Sequence, residues 1–155
     1  MTVAIVSGVL PQWLAHSVVK IAGRVTEHKT RKTIPVEFHK SRFRSSWSLA
    51  GLSNGRAIVY CQMPKRIKRG FEAREWLLRL IQVVAHEMQH EYDGHDGKVF
   101  RRKLHGHPMP HPARPQERRA KAIEMRVAAL LVSDIKERRY FDRLARMLIR
   151  KCRAG

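Results

Sequence analysis

Residues 83–100 read VVAHEMQHEYDGHDGKVF, and the pentapeptide His86-Glu87-Met88-Gln89-His90 inside them has the form H-E-x-x-H. On a helix, residues four apart share a face, so two imidazoles can bind one ion. Glu87 is then beside them, able to polarise a water on that ion. With 9 His in 155 residues, a chance match is expected in roughly 0.03 of shuffled chains of this composition. The surroundings also fit. From Glu75 to Tyr92 there is no Gly or Pro, and Trp76, Leu77, Leu80, Ile81, Val83 and Val84 recur at near-helical spacing. This predicts a mostly buried helix that stops at Asp93-Gly94.

Outward from that helix, the chain is one domain's length, residues 1–155. Pro11 to Thr26 predicts an amphipathic helix. Thr33–Phe38, Ser45–Gly55 and Arg56–Gln62 predict three strands, the last two joined by a turn at Ser53-Asn54-Gly55. We expect an α+β fold: a small antiparallel sheet of about three strands packed on the motif helix, with N- and C-terminal helices. Lys98–Leu104 suggests a short helix. Residues 105–115, HGHPMPHPARP, form a Pro/His-rich loop in which His105, His107 and His111 are minor ligand candidates. Residues 116–153 predict two basic helices. Their break is expected near Arg138, with Arg143, Arg146, Arg150, Lys151 and Arg153 pointing outward.

The net charge of +19, from 32 Lys+Arg against 13 Asp+Glu, implies a polyanionic partner, DNA before acidic protein or membrane. The basic loop Lys65, Arg66, Lys68, Arg69 is the candidate phosphate contact. No apolar run approaches the roughly 20 residues of a membrane span. The chain start has no basic n-region, and Cys61 and Cys152 lack any metal spacing. Both features point to a cytoplasmic protein with free thiols.

The run HEMQHEYDGHDGKVF resembles the minimal zinc peptidases of the SprT/Spartan kind, in which H-E-x-x-H is followed by a third His, a Gly and a Phe. The resemblance covers roughly residues 45–104. It implies a Zn2+-dependent peptidase, in some members acting on DNA-bound proteins, with His86 and His90 as ligands and Glu87 as general base. The family's cysteine-rich ribbon is missing. The shorter spacer after His90 is closer to the related WLM and metzincin-like peptidases. Small proteins of this build also occur in phages, so the cytoplasm concerned is that of a bacterium or of an infected host.

The third ligand stays open. By residue type it is His95, by spacing Asp96. Glu117, ahead of Glu124, is the further alternative and would make a gluzincin-like site. The expected function is hydrolysis of peptide bonds in a protein or peptide substrate, near nucleic acid. The competing expectation is a basic nucleic-acid-binding protein with a structural or vestigial zinc site.

Overall fold

The computed structural model describes residues 5–26, 33–42, 45, 47–67, 69–94, 103–104, 107–108 and 115–154. In chain order the elements are β1 (Ile5–Ser7), α1 (Gln12–Val25), β2 (Val36–Lys40), β3 (Ala50–Ser53), β4 (Ala57–Cys61) and α2 (Gly70–Tyr92). After these come β5 (Lys103–Leu104), β6 (His107–Pro108), α3 (Pro115–Ser133) and α4 (Ile135–Ala154). The fold is α+β as expected, with a four-stranded sheet ordered β1-β2-β4-β3 and a separate β5-β6 pair.

The sheet is mixed rather than antiparallel. β1 runs parallel to β2, and β2 parallel to β4, with Phe38 opposite Val59. Only β3 and β4 pair antiparallel, joined by the expected turn, where Gly55 takes φ 73°. β1 was missed because three residues are too few to show a period. The β2–β4 segment has a second consequence. Arg56–Gln62 is suited by sequence to be an edge strand, yet β4 lies inside the sheet and β3 is the edge. The apolar, β-branched run Ala57-Ile58-Val59 has both faces buried, which is the signature of an interior strand.

The sheet packs on α2. Trp76, Leu77, Leu80, Ile81, Val84 and Met88 are fully buried along that helix, each worth about 1.5–3 kcal/mol of apolar burial. Leu14, Val18 and Ile21 of α1 and Leu144 and Leu148 of α4 join the same core. α2 starts at Gly70, directly after the basic loop, and ends where predicted, with Gly94 at φ 74°.

The break between the last two helices falls at Asp134, not near Arg138. The Asp134 side chain accepts a hydrogen bond from the Glu137 backbone N–H at 3.1 Å, which caps α4 and restarts the helix. Lys103–Leu104 pairs as a strand with His107–Pro108 instead of extending a helix. The rest of the expected 98–104 helix lies outside the described residues.

Burial pushes the Cys61 thiol up to about 12, so the folded state disfavours the thiolate. As pH rises past the ordinary value, the unfolded chain gains from ionising a thiol that the fold keeps neutral, and native stability declines. Cys61 should therefore stay unmodified by a thiol reagent until denaturant is added, while half-buried Cys152 reacts first. Peptide mapping of the labelled protein checks the order.

Candidate metal centre

α2 brings the two motif histidines onto one face near its C-terminal end. The Nε2 atoms of His86 and His90 are 3.1 Å apart. The third group comes from α3. Glu117 Oε2 lies 3.1 Å from His86 Nε2, and Glu117 Oε1 lies 2.9 Å from His90 Nε2. Ligand atoms of His86, His90 and Glu117 all fall within 4.8 Å of one another. Zinc–ligand bonds of about 2.0–2.1 Å put tetrahedral donors about 3.3 Å apart, so these three atoms are spaced like three corners around one ion. Two neutral nitrogens and a carboxylate also suit zinc chemically, and among the described residues they make a set of three donors.

Two contacts hold α3 in the register this requires. Gln82 Nε2 donates to the Glu124 backbone oxygen at 3.0 Å, one turn before His86 on α2. Asp93, just past the end of α2, accepts from Gln89 Nε2 at 3.1 Å and ion-pairs with Arg119 Nε at 2.8 Å, two residues from Glu117. Between these clamps Glu117 and Glu124, two turns apart, reach the two sides of one ring. Glu124 Oε2 is 3.3 Å from His86 Nδ1. A carboxylate on Nδ1 fixes the tautomer and turns Nε2 towards an ion. Glu124 is therefore an orienting group for His86 rather than a member of the three-donor set.

Charge matches the geometry. Burial works against a protonated His86. The hydrogen bond that His86 donates to Glu124 and the negative charges of Glu87, Glu124 and Glu117 outweigh it and raise its pKa. Burial would also raise Glu124, but His86 and then Lys121 hold it below the usual carboxylate range. Burial is the main cause that lifts Glu87 to about 7; His86 opposes the shift, while Glu117, Glu124 and Glu91 add to it. A carboxyl near 7 exchanges a proton readily at neutral pH.

Glu87 has a seat that the sequence did not announce. It is 8 % exposed and lies against Gly51 of the edge strand β3. A Cβ on Gly51 would fall 2.5 Å from Glu87 Cγ, 2.6 Å from Oε1 and 2.8 Å from Cδ. Only glycine leaves room for the carboxyl in that position.

Among the other candidates, His95, Asp96, Lys68, His105 and His111 lie outside the described residues. Lys65, Arg66 and Arg69 are exposed on the loop before α2, with Arg69 over the Phe71 ring at 5.9 Å from its centroid. That loop sits at the start of α2, and Gly70 to His86 is 16 residues, or about 24 Å of helix.

Loss of a first-row donor should separate the candidates. Glu117→Ala, like His86→Ala or His90→Ala, is expected to abolish stoichiometric zinc uptake, while Glu124→Gln should weaken it about 10–100-fold. His95→Ala and Asp96→Ala should keep wild-type affinity. Metal competition titrations give the ranking, and collapse with His95→Ala alone would remove Glu117 from the donor set. Comparison with protein-family models, with curated proteins and with solved structures returned no match, so the reading of this centre rests on its own geometry.

Proposed function

We propose that this chain is a zinc-dependent peptidase of the gluzincin-like kind, with His86, His90 and Glu117 as the metal ligands and Glu87 as general base. The observation that carries this reading is the convergence of the three donors within 4.8 Å beside a buried Glu87. Zinc held there would act as a Lewis acid on the scissile carbonyl and lower the pKa of water towards about 7. The protein's own groups do the rest. Glu87 takes the proton of the attacking water and hands it to the leaving amine nitrogen as the C–N bond breaks. Glu124 keeps the proton of His86 on Nδ1, so that Nε2 presents its lone pair. β3 offers the outer edge of the sheet to an extended peptide, with Gly51 bringing that edge against Glu87.

The charge of +19 favours work beside nucleic acid, in the cytoplasm of a bacterium or an infected host. It also supports a second reading, a nucleic-acid-binding protein in which the zinc is structural. Three donors converge among the described residues, fewer than the four protein ligands that close a structural zinc site, and this favours the first. No helix among the described residues is long and apolar enough to cross a membrane.

The two readings part on Glu87→Gln. This variant should hold zinc as the wild type does and lose about 10²–10⁴-fold in cleavage of a quenched-fluorescent peptide library or of the chain itself, followed with and without DNA. Equal cleavage by both proteins, or none by either under any condition, leaves the structural-zinc reading. Gly51→Ala should act on the same group from the opposite side. Zinc content stays at one per chain while cleavage falls, and shortening the base in Gly51→Ala/Glu87→Asp recovers part of the loss. A fall in zinc content with Gly51→Ala would mean that β3 supports the ligands rather than the base.

A further inference from the structure

We propose that the outward face of α4 is a docking face for the phosphate backbone of a nucleic-acid duplex. The proposal rests on the charge part of the functional reading and does not depend on the metal centre.

At 100° per residue, Lys136, Arg139, Arg143, Arg146 and Arg150 fall in one sector about 80° wide, and they run along about 21 Å of helix. All five are exposed. The opposite side of the helix carries Phe141, Leu144, Ala145 and Leu148, all buried in the core. Of the two acids of α4, Glu137 is on the opposite side and pairs with Arg24 of α1, while Asp142 borders the stripe and lies 3.7 Å from Arg74 of α2. Five cations against one bordering acid leave the stripe strongly positive.

A neighbouring helix extends it at one end. Near the start of α4, the Lys20 ammonium of α1 and the Arg143 guanidinium lie 5.7 and 5.9 Å from the Tyr140 ring centroid. At the far end, Cys152, on the core side of α4, donates from Sγ to the Pro64 backbone oxygen at 3.0 Å, which packs the loop bearing Lys65 and Arg66 against the side of the helix away from the stripe.

Its chemistry fits a duplex backbone better than other polyanions. Duplex DNA carries one charge per about 1.7 Å of axis, so a straight row of cations meets a straight row of phosphates. Four of the five are arginines, whose planar guanidinium grips phosphate with two hydrogen bonds. A membrane-surface helix needs a free apolar face, and that of α4 is spent on the core. A single strand is held by stacking on exposed rings. The stripe carries none, since Tyr140 is half-buried with its hydroxyl donating to Ser17 Oγ at 2.6 Å. Phe71, exposed beside Arg69 at the loop end, is the nearest such ring.

The test compares the full-length protein with two variants of equal net charge: Arg139→Gln/Arg146→Gln/Arg150→Gln on the stripe, and Lys40→Gln/Arg42→Gln/Arg56→Gln elsewhere. Each is titrated with a short mixed-sequence DNA duplex over a series of salt concentrations. The stripe variant should lower the slope of log affinity against log salt by about 2.7, at about 0.9 per lost phosphate contact, and the control by less than one contact. His86→Ala should bind the duplex like wild type, whatever becomes of zinc or cleavage. If the triple variant melts early, Arg146→Gln alone carries the test, with an expected fall of about 0.9. Equal slopes for the stripe and control variants would overturn the proposal, as would no duplex binding by wild type at low salt. So would tighter binding to the matching single strand or to anionic phospholipid vesicles.

Discussion

Where α3 lies on α2, four carboxylates crowd two imidazoles in a poorly solvated corner. Glu87 and Glu91 are buried on α2, and Glu117 and Glu124 reach across from α3. Carboxylates brought together in this way repel one another and lose hydration, so burial without compensation is costly. Glu87 shows this in its raised pKa, which comes first from burial and then from Glu117, Glu124 and Glu91. A divalent cation among these donors relieves both the repulsion and the lost hydration. The rest of the domain serves this packing. The Gln82 and Asp93–Arg119 contacts set the register of α3, and the sheet closes the corner with Gly51.

Much of the fold was legible because α2 has a strong helical period. Of the apolar positions read from Trp76 to Val84, all but half-buried Val83 are buried, and the stop at Asp93-Gly94 is where the chain turns. Asp134-Ile135-Lys136-Glu137 is a missed signal that the sequence does contain, since Asp followed three residues later by Glu marks a helix start. Strand order was beyond reach in a different way. A turn such as Asn54-Gly55 announces its own hairpin, but parallel pairing of β2 with β4 is decided by tertiary packing and leaves no local mark.

The candidate centre divides along the same line. His86, Glu87 and His90 are contiguous, so their shared face follows from helix geometry alone. The carboxylate brought to them is 27 residues beyond His90, and its approach depends on where the chain re-enters after residues 105–115. Local spacing favours His95 or Asp96, whereas the packing of α3 brings Glu117 between the two Nε2 atoms. Glu124 and Glu117 look alike in the sequence, seven residues apart on one helical stripe. Only the positions of the ring nitrogens give one the Nε2 side and the other Nδ1. Gly51 is harder still, because the reason for a glycine there is a side chain on a distant helix.

α2 also sets the distance between the two chemistries of the molecule. Its C-terminal end carries the acidic, metal-seeking cluster, and its N-terminal end meets the basic loop and the last turn of α4. The separation, about 24 Å from Gly70 to His86, exceeds the Debye length of about 8 Å at physiological ionic strength. Carboxylates at one end therefore do little to neutralise arginines at the other. A chain of net charge +19 can in this way gather carboxylates at one end of α2 while the basic groups at the other end keep their field.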